Sequence, residues 1–136
     1  MPNELFEQSG RQVIKTAKDL SIKNLFNVTN RETYQNHGQK FKRIGVSNVT
    51  YTAAANDFLI GVTSLVSAST IGLPDPRSVG MGKHYIIKDE VGGAGTTTIT
   101  IHSEGEKTID GTATSTLTTN YEAKQFYTDG ANWFTI

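Results

Sequence analysis

The residues best suited to chemistry crowd one stretch of the chain: Gly82-Lys83-His84, the carboxylate pair Asp89-Glu90, the glycine-rich run Val91-Gly92-Gly93-Ala94-Gly95, and His102-Ser103-Glu104. Two chemistries would use them. A glycine loop with a lysine cradles phosphate, and two convergent carboxylates act as acid and base. Neither spacing fits. A phosphate loop needs glycine five residues before its Gly-Lys pair and Ser or Thr after it, positions held by Arg77 and His84. "VGGAGTTT" would serve a dinucleotide only if it ran from a strand into a helix, and Thr-Thr-Thr-Ile-Thr-Ile is strand sequence. Asp89 and Glu90 are adjacent, so on a strand they point to opposite faces. Asp89 suits a second task, accepting backbone hydrogen bonds from the turn that follows, and Asp110 and Asp129, each before a glycine, suit it too. The glycines read as positive-φ positions in a hairpin of several residues.

The other chemical candidates are weaker. His37, His84 and His102 are far apart and lack metal-ligand spacing, which leaves only a metal assembled in space, across a trimer axis for example. The serines are scattered through turns and suggest no Ser-His-Asp arrangement. With no cysteine, the chain has no disulfide, thiolate nucleophile or zinc-thiolate site. No cofactor is implied, and the expectation is a protein that is not an enzyme. Tyr121, Phe126, Tyr127, Trp133 and Phe134 cluster late in the sequence. They suit a core or an interface better than a sugar-stacking platform, with Trp133, beside the Asp129-Gly130 turn, as the ring expected to be partly exposed.

The bulk composition narrows the partners. Thirteen Lys and Arg balance thirteen Asp and Glu over 136 residues, a length that suits one domain. A nucleic-acid partner is not expected, because nothing supplies the basic surplus that phosphate neutralisation requires. The one basic run, Lys40-Phe41-Lys42-Arg43, reads as a solvated strand or loop edge. No window resembles a membrane span or a secretory leader, so the expectation is a protein made in the cytoplasm without an export signal.

The elements that must position these residues divide at about residue 45. Residues 1–45 read as an arm and connection. Val13, Ala17, Leu20 and Asn24 lie at helical spacing behind a Ser9–Gln12 capping box, giving a short helix over about 10–20, with an extended arm as the competing reading. Residues 27–45 are polar and suit an irregular connection or one edge strand. From 46 to 136 the helical signal vanishes. Short alternating runs, Asp-Gly turns and threonine-rich segments predict an all-β domain, a compact β-sandwich or jelly-roll-like fold. Leu5, Phe6, Val13, Ile14, Leu20, Leu25 and Phe26 are more apolar side chains than an arm leaves in water, so they are the expected partner-binding residues.

The order of "TIGLPDP", "GKHYIIKDEVGGAGTTTITI", "TIDG" and "FYTDGANW" resembles a module that recurs in tailed-bacteriophage structural proteins, over about residues 51–136. The resemblance implies a compact β domain of tail fibres, baseplate appendages and capsid decorations, usually trimeric, and carries no catalytic residue with it. The expected partners are two further copies of the chain in a homotrimer, plus the major capsid protein or another virion protein. The short N-terminal segment favours a capsid decoration (cement) or head-fibre protein located in the virion. The alternative is a tail-fibre or baseplate module that recognises a host glycan or protein.

Overall fold

The computed structural model describes residues 39–136, and within them the compact unit Phe41–Ile136. The arm residues Leu5, Phe6, Val13, Ile14, Leu20, Leu25 and Phe26, the helix expected over 10–20, and His37 lie outside the described residues.

Among the described residues nine strands make two packed sheets, the sandwich that the alternating runs predict. In chain order they are β1 Arg43–Val46, β2 Thr50–Thr52, β3 Leu59–Val62, β4 Ser69–Leu73, β5 His84–Asp89, β6 Ile99–Ser103, β7 Thr114–Leu117, β8 Ala123–Thr128 and β9 Trp133–Thr135. One sheet has the order β9-β8-β5-β3-β1 and the other β2-β4-β6-β7. Both sheets are mixed. The chain passes from sheet to sheet with each strand from β1 to β6, so β1, β3 and β5 pair in parallel in one layer and β2, β4 and β6 in the other. The last three strands close the stack antiparallel, β7 on β6, β8 on β5 and β9 on β8.

The winding path corrects one expectation. "YIIKDEVGGAGTTTITI" is not a hairpin: its two strands, β5 and β6, belong to different sheets, and the glycine run is the passage between them. Alternation in the sequence marks both strands but carries no information about which neighbour each one pairs with. The Asp-Gly turns behave as expected. Asp129-Gly130 joins the antiparallel pair β8 and β9, and Asp110-Gly111 closes a bridge between Ile109 and Thr112. Among the described residues helix is confined to one α-helical turn, α1 Pro76–Val79, in the proline-rich segment, and one 3-10 turn at Glu104–Glu106. Asp75 caps α1 by accepting the Arg77 N–H at 2.9 Å.

The register explains the core. Ile44, Ile60 and Ile87 stand in one inward row across three parallel strands, and Tyr51, Ile71 and Ile101 stand in the facing row. Ile60, Ile71, Ile87 and Ile101 are fully buried, as a period of two requires for strands with one face inward. Outward on the second sheet, Thr50, Thr70, Thr100 and Thr116 are paired in a row across all four strands, the polar β-branched outer face that such strands favour.

Trp133 sits at the centre of the closing strands. It is fully buried, not partly exposed, because β9 turns it inward opposite Thr128. Its Nε1–H donates to the Pro74 carbonyl at 3.0 Å, its ring centroid lies 5.6 Å from that of Tyr85, and its backbone bridges Ile109. One residue thus ties together the Leu-Pro turn and the Gly-Lys-x-Tyr strand through its side chain and the Ile-Asp-Gly turn through its backbone.

Candidate functional site

Two buried carboxylates and one displayed ring are the chemically distinctive features of the described residues. Asp89 ends β5 and is fully buried. Its Oδ1 accepts the N–H groups of Val91 at 3.2 Å and Gly92 at 2.9 Å, and its Oδ2 those of Ala94 at 2.9 Å and Tyr121 at 3.0 Å. Burial alone would raise its pKa. The four N–H groups outweigh burial and hold the carboxyl below its ordinary value. Glu90 faces the opposite way, as adjacent strand positions must. It pairs with Arg43 across Gly61, where a Cβ would meet the Glu90 carboxylate. The charge-assisted bond from Arg43 lowers the Glu90 pKa. The two acids therefore share no site.

The second buried carboxylate escaped the sequence reading. Asp57 lies in the turn between β2 and β3, where it resembles an ordinary polar turn residue, yet it is fully buried. Its Oδ2 accepts the Tyr51 hydroxyl at 2.5 Å and the Ala54 N–H at 2.9 Å, while Oδ1 lies 2.9 Å from Lys42 Nζ as an ion pair without hydrogen-bond alignment. Lys83 donates to the Asp57 carbonyl at 2.8 Å, and Tyr85 donates to the Ala54 carbonyl at 2.8 Å. Burial opposes ionisation of Asp57, but the Tyr51 and Ala54 hydrogen bonds and the Lys42 ammonium charge prevail and its pKa is lowered. Burial, with the Asp57 charge, pushes Tyr51 and Tyr85 up to about 12. Lys83 is lowered by burial, with Asp57 opposing. These donors and acceptors are spent on each other. An ionised Asp57 and protonated tyrosines at neutral pH hold the 53–58 turn against the sandwich. The basic run is also absorbed: Lys42 and Arg43 have acidic partners and Phe41 stacks on Phe58 at 4.3 Å.

The remaining candidates meet separate partners and are not brought to one site. His84 Nδ1 lies 2.8 Å from Gln125 Nε2, and His102 Nε2 lies 3.0 Å from Glu104 Oε2. Among the described residues no group of three His, Asp or Glu side chains could hold a metal ion. Asp129 accepts the N–H groups of Ala131 and Asn132, as its place before Gly130 suggests. Asp110 instead reaches across to the Thr135 N–H at 3.1 Å. Of the glycines at 92, 93 and 95, only Gly92 has positive φ, at 78°.

The aromatics sort into three groups. Phe126 and Trp133 are core. Tyr127 and Phe134 pair on the outer face of the five-stranded sheet, with ring centroids 5.5 Å apart. Tyr121 is 59% exposed, in the turn between β7 and β8, with φ 63°.

Compared with known proteins, the chain matches no family model and no curated protein.

Proposed function

We propose that this chain is a non-enzymatic structural protein of a bacteriophage virion, a trimeric module that decorates the capsid by binding its shell. The observation that carries the reading is the arrangement around Trp133. Its contacts to Pro74, Tyr85 and Ile109 join all four sequence pieces on which the phage-module resemblance rests. The pieces "TIGLPDP", "GKHYIIKDEVGGAGTTTITI", "TIDG" and "FYTDGANW" are thus parts of one architectural unit, and their order in the sequence has a common physical cause. Function does not follow from fold alone. Two further features support an architectural role. The buried carboxylates are committed to backbone and tyrosine partners, and the outer face of the five-stranded sheet carries Leu59, Ile86, Tyr127 and Phe134, a surface suited to self-association in a homotrimer.

The second reading is an appendage module of a tail fibre or baseplate that recognises a host surface, and the exposed Tyr121 ring favours it. Immunogold labelling of purified virions discriminates. Label spread over the head supports decoration, label at the tail supports the appendage, and particles without label refute both.

A further inference from the structure

The turn that carries Tyr121 is built to hold one ring in the open. A bulky residue at φ 63° is a costly exception, since the left-handed region crowds Cβ against the following carbonyl oxygen. Three restraints hold it there. Asp89 Oδ2 accepts the Tyr121 N–H at 3.0 Å, Lys88 Nζ donates to the Tyr121 carbonyl, and the ring lies over Gly92, where any Cβ would overlap it. Glu122 fixes the turn from the other side: its Oε1 accepts the N–H groups of Thr118 at 2.8 Å and Thr119 at 2.9 Å. Strain of this kind persists only where the surroundings over-determine it, and it concentrates at binding and switching positions. Lys88 Nζ also stands 6.0 Å from the ring centroid, a contact at the rim of the site, and the ring is nevertheless 59% exposed, so core packing does not account for its placement.

We propose that Tyr121 is the stacking platform of a saccharide-binding site, taking the C–H face of a pyranose on its exposed ring. The neighbours favour a sugar over a protein surface. A protein hot spot lies within a dry patch whose surround excludes water. Here the ring is flanked by exposed Asn120 and half-buried Glu122, each with hydrogen-bonding capacity left over. Asn120 Oδ1 accepts the Gly95 N–H at 2.8 Å, leaving its amide N–H groups to donate, and Glu122 uses Oε1 for the turn, leaving Oε2 to accept. Among the described residues the Tyr121 hydroxyl has no partner either. A pyranose offers the matching pair of surfaces, an apolar ring face and a rim of hydroxyls. Preorganisation lowers the cost of binding, because the ring needs no ordering when the ligand arrives.

The proposal deepens the second reading, recognition of a host surface, and rests on it for its setting; the two fail separately, since labelling of particles decides the one and sugar binding the other. The test is a glycan array probed with the full chain, followed by saturation-transfer NMR on the pyranose oligosaccharides that score. The comparison variant is Tyr121→Gly, which removes the ring while tolerating positive φ, so the turn keeps its conformation. The expected result is binding that Tyr121→Gly weakens by roughly tenfold or more and that Tyr121→Phe retains. Asn120→Ala, with the ring intact, is expected to weaken it by a smaller factor. An array without signal overturns the proposal, as does signal that Tyr121→Gly leaves unchanged. Loss of particle binding by Tyr121→Gly alongside a silent array also overturns it and assigns the ring to a protein contact.

Discussion

Asp89 Oδ2 accepts the backbone N–H of Tyr121 at 3.0 Å, linking the end of β5 to a turn 32 residues further along the chain. The same carboxylate collects three more N–H groups from the passage between the sheets, so one buried charge fixes two loops at once. Each donor would otherwise need another acceptor, because an unpaired N–H away from water is costly.

Asp89→Asn is therefore expected to destabilise the domain by about 3 kcal/mol. The amide keeps one acceptor and turns an NH2 group toward backbone N–H groups that have nowhere else to bond. Urea unfolding followed by tryptophan fluorescence reads the loss, since Trp133 is buried in the core. A change below about 1 kcal/mol would mean that water replaces the carboxylate and that the hub is dispensable.

Stability should fall on both sides of a neutral plateau. Asp57 and Asp89 have folded pKa values below their ordinary ones. Their contribution is complete above the unfolded carboxylate pKa, about 4, and drains away as pH falls through the folded values. Tyr51 and Tyr85 run the other way, raised to about 12. Their contribution is complete below the unfolded tyrosine pKa, about 10, and is lost as pH rises toward the folded value. Melting temperatures measured from pH 2 to 12 should show both limbs. Tyr51→Phe should shrink the alkaline limb, and an unchanged limb would remove Tyr51 from the account.

Much of this fold is legible in the sequence and much of the site is not, for one physical reason. Alternation is a local property, so Tyr85, Ile87, Ile99 and Ile101 can be placed on inward faces from spacing alone, and all four are buried. The task of Asp89 is legible too, because a carboxylate at a strand end before glycines has nearby N–H groups to accept. Pairing is not local. Nothing in the sequence distinguishes a hairpin between β5 and β6 from a passage between sheets, nor shows that Asp57 will meet Lys42 and Tyr51. The sequence misplaces Trp133 because a turn three or four residues away suggests exposure, whereas the register of β9 against β8 turns the ring inward.

Two glycines with crowded surroundings should respond differently to alanine. At Gly92 the backbone has φ 78° and a Cβ would overlap the Tyr121 ring, so Gly92→Ala should cost about 1–2 kcal/mol. At Gly61 the atoms in the way belong to the far end of the Glu90 side chain, which can swing aside and loosen only a half-exposed pair with Arg43. Alanine also suits a strand better than glycine, so Gly61→Ala should fall within about 1 kcal/mol of neutral. Equal losses at the two positions, in parallel thermal melts, would contradict the distinction between backbone and side-chain crowding.

Trp133→Phe separates architecture from display. The smaller ring loses the Nε1–H donor, leaves the Pro74 carbonyl unpaired, and opens space beside Tyr85. The combined cost should be about 2–4 kcal/mol, larger than for any outward-facing aromatic. Tyr121→Gly, by contrast, should leave the melting temperature within a few degrees of the parent. A fold that tolerates Trp133→Phe without loss would mean that the Pro74 turn and Tyr85 on β5 are held to β9 by something other than this side chain.

The proposed homotrimer makes its own demand on the outer face of the five-stranded sheet. Tyr127 pairs there with His84 on one side and Phe134 on the other, and Gln125 pairs with Ile86, which pairs in turn with Leu59. These side chains are half-buried in the single chain and point away from the core. A charge placed among them should leave each domain folded while opposing association, because an interface must desolvate what it covers. Tyr127→Lys is the sharper choice, since the residue lies mid-row and makes no core contact through its face of β8. Light scattering at micromolar concentration should report three chains for the parent and one for Tyr127→Lys, with melting of the separated chain still cooperative. If the parent is already a single chain, self-association through this face is refuted. If Tyr127→Lys remains three chains, the copies meet through another surface.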